Sequence, residues 1–69
     1  MRLSARNKID ATITGITRGE ATANVTLDAA GTRLVASITV EAADDLGLAD
    51  GMQVVAIIKA SDVMVAVAD

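Results

Sequence analysis

Two short polar islands hold most of the chemistry this chain can offer. Ser4-Ala5-Arg6-Asn7 stands near one end, and Lys59-Ala60-Ser61 closes the last long apolar run near the other. The stretch between them is largely aliphatic, and the chain contains no His, Cys, Trp, Tyr, Phe or Pro. Hydroxyl, guanidinium and ammonium groups are all hydrogen-bond donors, and the last two are positive at neutral pH. Such a set suits the holding of a small anion better than it suits catalysis. Residues two apart in an extended chain point the same way, so Ser4 and Arg6 share a face, as do Lys59 and Ser61. If the islands meet, within one subunit or across an interface, four donors converge. A tetrahedral oxyanion offers only acceptors, and charge-assisted bonds to it are roughly twice as strong as neutral ones. Ala5 and Ala60 contribute by being small, which lets backbone N–H groups come close to the ion. Each residue also has a plainer reading: a solvated hydroxyl at Ser4, ion pairs from Arg6 to Asp10 and Lys59 to Asp62, a turn at Ser61.

Composition narrows the alternatives. General acid–base or nucleophilic catalysis would have to run without His, Cys or Tyr, and nothing in the sequence places a base beside Ser4 or Ser61. With neither Cys nor His, zinc and disulfide staples are excluded. Asp44-Asp45 with Asp50 matches no calcium loop, and acids near a short helix more simply complement its dipole. The net charge is −3, from six Lys+Arg against nine Asp+Glu, with no clustered basic patch. An acidic chain without aromatics is a poor match for nucleic acid, which is held by basic grooves and stacking rings. Val54–Ile58, the longest apolar run, is far short of the roughly 20 residues needed to span a bilayer, and the N-terminus lacks a secretory apolar core. A soluble, cytoplasmic protein with neither nucleic-acid nor membrane partner is expected.

The 69 residues make one small domain, residues 1–69, with a marginal core of its own. Hydrophobic residues are 52% of the chain, a large load for a small monomer to hide, so a homo-oligomer is expected. The positioning elements are read from periodicity. From Asn7 to Ile16, Ile9, Ala11, Ile13 and Gly15 alternate with polar residues, predicting a first strand. Arg18-Gly19-Glu20 marks a turn. Ala23, Val25 and Leu27 predict a second strand, and Leu34, Ala36, Ile38 and Val40 a third. The turn Asp28–Gly31 joins them as a hairpin, Gly31 being free to take positive φ. Between Glu41 and Asp50 the spacing becomes helical, with Gly51 as the stop. A fourth strand runs from Gln53 to Ser61, apolar on both faces, and a fifth from Val63 to Ala68. Three strands, a short helix and two strands predict an all-β, five-stranded OB-like barrel, closed or nearly so.

Ser4-Ala5-Arg6-Asn7, the hairpin ending Ile38-Thr39, Leu46-Gly47-Leu48 followed by Gly51, and Ile58-Lys59-Ala60-Ser61 occur in this order and spacing in molbindins. The chain resembles these small molybdate-binding proteins of the transport-associated OB (TOBE) domain along essentially its whole length. The resemblance implies a homohexamer, a trimer of dimers, that binds molybdate or tungstate at subunit interfaces and needs no organic cofactor. It implies a main site of Ser4, Arg6, Lys59 and the backbone around Ala60 and Ser61, with Thr39 reaching in from a neighbouring subunit. A second class of oxyanion site would involve Gly19–Thr22, where the chain departs from the family's G-x-x-N-A-E pattern through Thr22 and Asn24. Storage or homeostasis of molybdenum is the implied role, and a free-standing regulatory module of a molybdate transporter or regulator is the alternative.

Overall fold

Alternating apolar residues become four antiparallel strands in the computed structural model, which describes residues 2–68. They are β1 (Asn7–Arg18), β2 (Thr22–Ala29), β3 (Thr32–Thr39) and β4 (Gln53–Ile58), with α1 (Val40–Asp45) between β3 and β4. The sheet order is β3-β2-β1-β4. One face of it buries Ala11, Ile13, Val25, Leu27 and Ala29, against which Ile16, Leu34, Ala36, Ile38, Leu48, Val54 and Ala56 pack.

The first strand runs two residues beyond Ile16 and does not keep a single alternation. The β1–β2 register shifts between Ile13 and Gly15, and the Thr14 hydroxyl donates to the Thr26 carbonyl at 3.2 Å. One extra residue on one strand reverses which side chains face inward beyond it. Ile16, opposite Val25, therefore joins the core in place of the expected Gly15.

β2 and β3 form the predicted hairpin, closed by the pair Ala29↔Thr32. The two loop residues, Ala30 and Gly31, have φ of 51° and 89°. Positive φ at both positions is the requirement of a type I′ turn, whose twist matches the strands it joins.

The helix is shorter than Glu41–Asp50. Thr39 caps its start, its hydroxyl oxygen accepting from the Ala42 N–H at 3.0 Å. At the other end Gly47 takes φ of 63° and donates to the Asp44 carbonyl, while Leu48 N–H donates to the Ala43 carbonyl. Those paired bonds define a Schellman stop. Gly47 thus ends the helix, and Gly51 serves instead in the turn that leads into β4, where Met52 N–H donates to the Ala49 carbonyl. Arg18 Nη1 meets Asp44 Oδ1 at 2.6 Å and ties the end of β1 to α1.

The expected fifth strand is not formed. Val63–Ala68 pairs with no strand among the described residues, leaving Met64, Val65 and Val67 at 93%, 90% and 84% exposure. A strand exists only by pairing, and the edge strands β3 and β4 each keep one side unpaired. The described residues of one chain therefore build an open sheet and not a closed barrel. An apolar trough of about 470 Å³ lies in the opening, lined by Leu34, Ala36 and Ile38 from β3 and Val54, Ala56 and Ile58 from β4.

Candidate functional site

Antiparallel pairing of β1 with β4 runs from Thr12↔Gln53 to Asn7↔Ile58. Residues just before Asn7 and just after Ile58 therefore leave the sheet side by side. That register brings together the two polar islands, Ser4-Ala5-Arg6 and Lys59-Ala60-Ser61. The Asn7 side-chain amide donates to the Ile58 carbonyl at 3.1 Å, where the ladder ends. Arg6, Lys59, Ser4 and Ser61 are exposed, and Ala5 is half-buried. Among the described residues neither cation forms an ion pair, so the alternative pairings with Asp10 and Asp62 are not made.

The second island is not extended, as alternation required. Ala60–Asp62 forms one turn of 3₁₀ helix, with Asp62 N–H donating to the Lys59 carbonyl at 2.9 Å and Val63 N–H to the Ala60 carbonyl at 3.3 Å. Serine and aspartate favour turns because their side chains compete for local backbone bonds. Two consequences follow. Ser61 no longer shares a side with Lys59 through strand alternation, and the amides of Ala60 and Ser61, which open the turn, have no partner within it. The island thus offers backbone donors as well as the ammonium group.

Thr39 is elsewhere. It lies at the end of β3, opposite Thr22, beyond the Arg18 end of β1, whereas the islands lie at the Asn7 end next to β4. Twelve residues of β1 separate the two ends, a span of roughly 36 Å at about 3.3 Å per residue, less any bending. Within the described residues of one chain, Thr39 and the islands lie toward opposite ends of β1. Its hydroxyl oxygen is already engaged by Ala42 N–H, which leaves the O–H free to donate. The Gly19–Thr22 segment is a tight turn closed by Gly19 N–H to the Thr22 carbonyl at 2.8 Å. Among the described residues no group of His, Cys, Asp or Glu is arranged to hold a metal ion, and Asp44 is engaged by Arg18. Sequence reasoning gave Asn7 no role, since only the β1–β4 register reveals what its side chain touches.

Comparison with known proteins gives a consistent outcome. Residues 3–65 match the model of the TOBE domain. A 62-residue stretch covering 88% of the chain is 52% identical to the molybdenum import ATP-binding protein ModC of Brucella abortus, of whose length it spans only 17%. The molybdenum-pterin-binding protein 1 of Clostridium pasteurianum is 35% identical over 94% of this chain and 97% of its own. Among solved structures, a molybdate-binding protein from Sporomusa ovata superposes with a TM-score of 0.93 at 41% identity, covering 96% of this chain and 98% of that one. The cytoplasmic molybdate-binding protein ModG, solved with molybdate bound, gives 0.83 at 39% identity over 87% of this chain and 43% of its own.

Proposed function

The chain belongs to the TOBE domain family, among its molybdenum-pterin-binding and molybdate-binding (Mop, molbindin) members, and from that premise we propose that it binds molybdate as an oxyanion for molybdenum storage or homeostasis in the cytoplasm. The observation that carries this reading is the juxtaposition of the two islands at the end of the β1–β4 ladder. Arg6 supplies a planar two-pronged donor and Lys59 a point charge. Ser4, with the amides around Ala5, Ala60 and Ser61, supplies neutral donors to the remaining oxygens. Molybdate and tungstate have the same charge and tetrahedral shape, so either fits this donor set. Sulfate is smaller, and in a cavity sized for the larger ions it would leave donors imperfectly met. The chain acts as one binding unit, needs no organic cofactor and performs no reaction.

Thr39 completes the site from another copy, since its own chain holds it at the far end of β1. The open sheet supports such assembly. The trough between β3 and β4 is an apolar slot bounded by unpaired strand edges, and Val63–Ala68 is an apolar segment without a strand partner. Inserting that segment would supply the fifth strand, close the barrel and bury Val65 and Val67, and insertion between copies would build the dimers of a homohexamer. Calorimetric titration with molybdate, tungstate, sulfate and phosphate tests the proposal. Saturable heat from the first two and little from sulfate is expected, and no heat from any oxyanion would overturn it.

The likeness to a stretch of ModC favours a second reading, a free-standing regulatory module for a molybdate transporter or regulator. Stoichiometric capture of a transporter or regulator subunit by the tagged protein would establish it. Molybdate binding with no such partner leaves storage.

A further inference from the structure

We infer that Asn7 is a positioning residue of the oxyanion site: its side-chain amide clamps the end of β4 to the start of β1 and so sets how the two islands face each other. The inference rests on the oxyanion reading above. Asn7 is the last residue of β1 at the site end, and its Cα partner is Ile58, the last residue of β4. Beyond this pair neither strand continues, so no further ladder bond holds Arg6 beside Lys59. The 3.1 Å bond from Asn7 Nδ2 to the Ile58 carbonyl is the last side-chain fastening before both chains diverge, one into the bend at Ser4 and the other into the 3₁₀ turn. It is half-buried, so water competes for it less than at an exposed position.

Residue type also matters here. The Ile58 carbonyl is an acceptor, and a carboxylate at position 7 would oppose it and place negative charge beside the anion. A leucine would fill similar space without a donor. Asparagine supplies an uncharged donor with two rotatable side-chain bonds, which locks the corner at low entropic cost. Because the Asn7 amide is engaged by the Ile58 carbonyl, its effect on the site passes through Lys59–Ser61.

The wild type, Asn7→Ala and Asn7→Gln test this, each titrated with molybdate by calorimetry and melted with and without it. Loss of one neutral hydrogen bond that aligns the site predicts about a tenfold weaker affinity for Asn7→Ala. Asn7→Gln, which keeps the donor, is expected to recover part of that loss. Amide NMR adds a readout that a merely stabilising role would not move. In the wild type, saturating molybdate shifts the Ala5–Arg6 and Ala60–Ser61 amides together. In Asn7→Ala the Ala60–Ser61 shifts are expected to shrink relative to those of Ala5–Arg6. Wild-type binding with unchanged affinity and unchanged shift ratio in Asn7→Ala overturns the inference and leaves the site standing. If Asn7→Ala does not fold, wild-type affinity and shift ratio in Asn7→Leu, which fills the space without a donor, likewise overturn it. Absence of binding to the wild type overturns the site itself.

Discussion

Arg6 and Lys59 stand at the same end of the β1–β4 ladder, and among the described residues no carboxylate neutralises either. Two neighbouring cations without an anion repel each other, and one bound oxyanion relieves both. Replacing either should therefore cost binding and spare folding. Arg6→Ala and Lys59→Ala are each expected to weaken molybdate binding about 10- to 100-fold, the worth of a charge-assisted bond, with an anion-free melting temperature equal to or above wild type. Calorimetry and a thermal melt check both halves, and wild-type affinity in either variant would remove that residue from the site. Thr39 caps α1 and, on the proposed reading, also donates to the ion, and a pair of substitutions tests both roles. Thr39→Ser keeps a hydroxyl that both caps α1 and donates, and is expected to bind nearly as wild type. Thr39→Val loses the cap, costing about 1 kcal/mol of stability, and also loses the donor, weakening binding about tenfold. A melt and a titration on the same samples distinguish the two losses.

The elements carry their own strains and signals. Ala30 sits at φ 51°, a left-handed conformation that costs an L-residue with a Cβ roughly 1–2 kcal/mol. Asparagine tolerates it better and precedes glycine in the most favoured type I′ turns. Ala30→Asn is expected to stabilise the chain by about 0.5–1 kcal/mol, measurable by urea unfolding, without changing oxyanion affinity. This hairpin was legible in the sequence because β2 and β3 alternate cleanly and Gly31 punctuates them. The order of the four formed strands and the helix was legible for the same reason, but the fifth strand read from the alternation of Val63–Ala68 is not formed within one chain. Three things were not legible. The register shift at Thr14 leaves no mark in composition, since any small polar residue can be the extra one. The helix stop moved from Gly51 to Gly47 because the Schellman bonds depend on backbone geometry that helical spacing alone does not reveal. The start of the 3₁₀ turn at Ala60 was hidden by the apolar run before it, which reads as strand continuing to Ser61, although a turn at Ser61 itself was readable. For the site, the islands and their chemistry could be read directly, but their adjacency needed the β1–β4 register. The part of Asn7 could not be read at all, because a hydrogen bond across 51 residues has no local signature.

At the scale of the whole molecule the open edge between β3 and β4 decides the behaviour. If Val63–Ala68 enters the trough of another copy as a strand, alternate residues face the core, and Val65 is among the inward ones when Val63 and Val67 are. Val65→Asp is then expected to disperse the assembly to monomers by light scattering, while Ala66→Asp on the opposite face leaves it intact. Equal dispersal by both, or by neither, would refute strand insertion. An unfilled slot also makes the protein's capacity a matter of mass action. On the proposed reading each site draws Thr39 from a second copy and exists only in proportion to the paired species, so well below the dissociation constant of that pair the number of sites would scale as the square of chain concentration. Doubling expression there would quadruple the molybdate held. On that reading the gap in one sheet would set a threshold: little of the ion would be retained when the chain is scarce, and retention would rise steeply once copies pair.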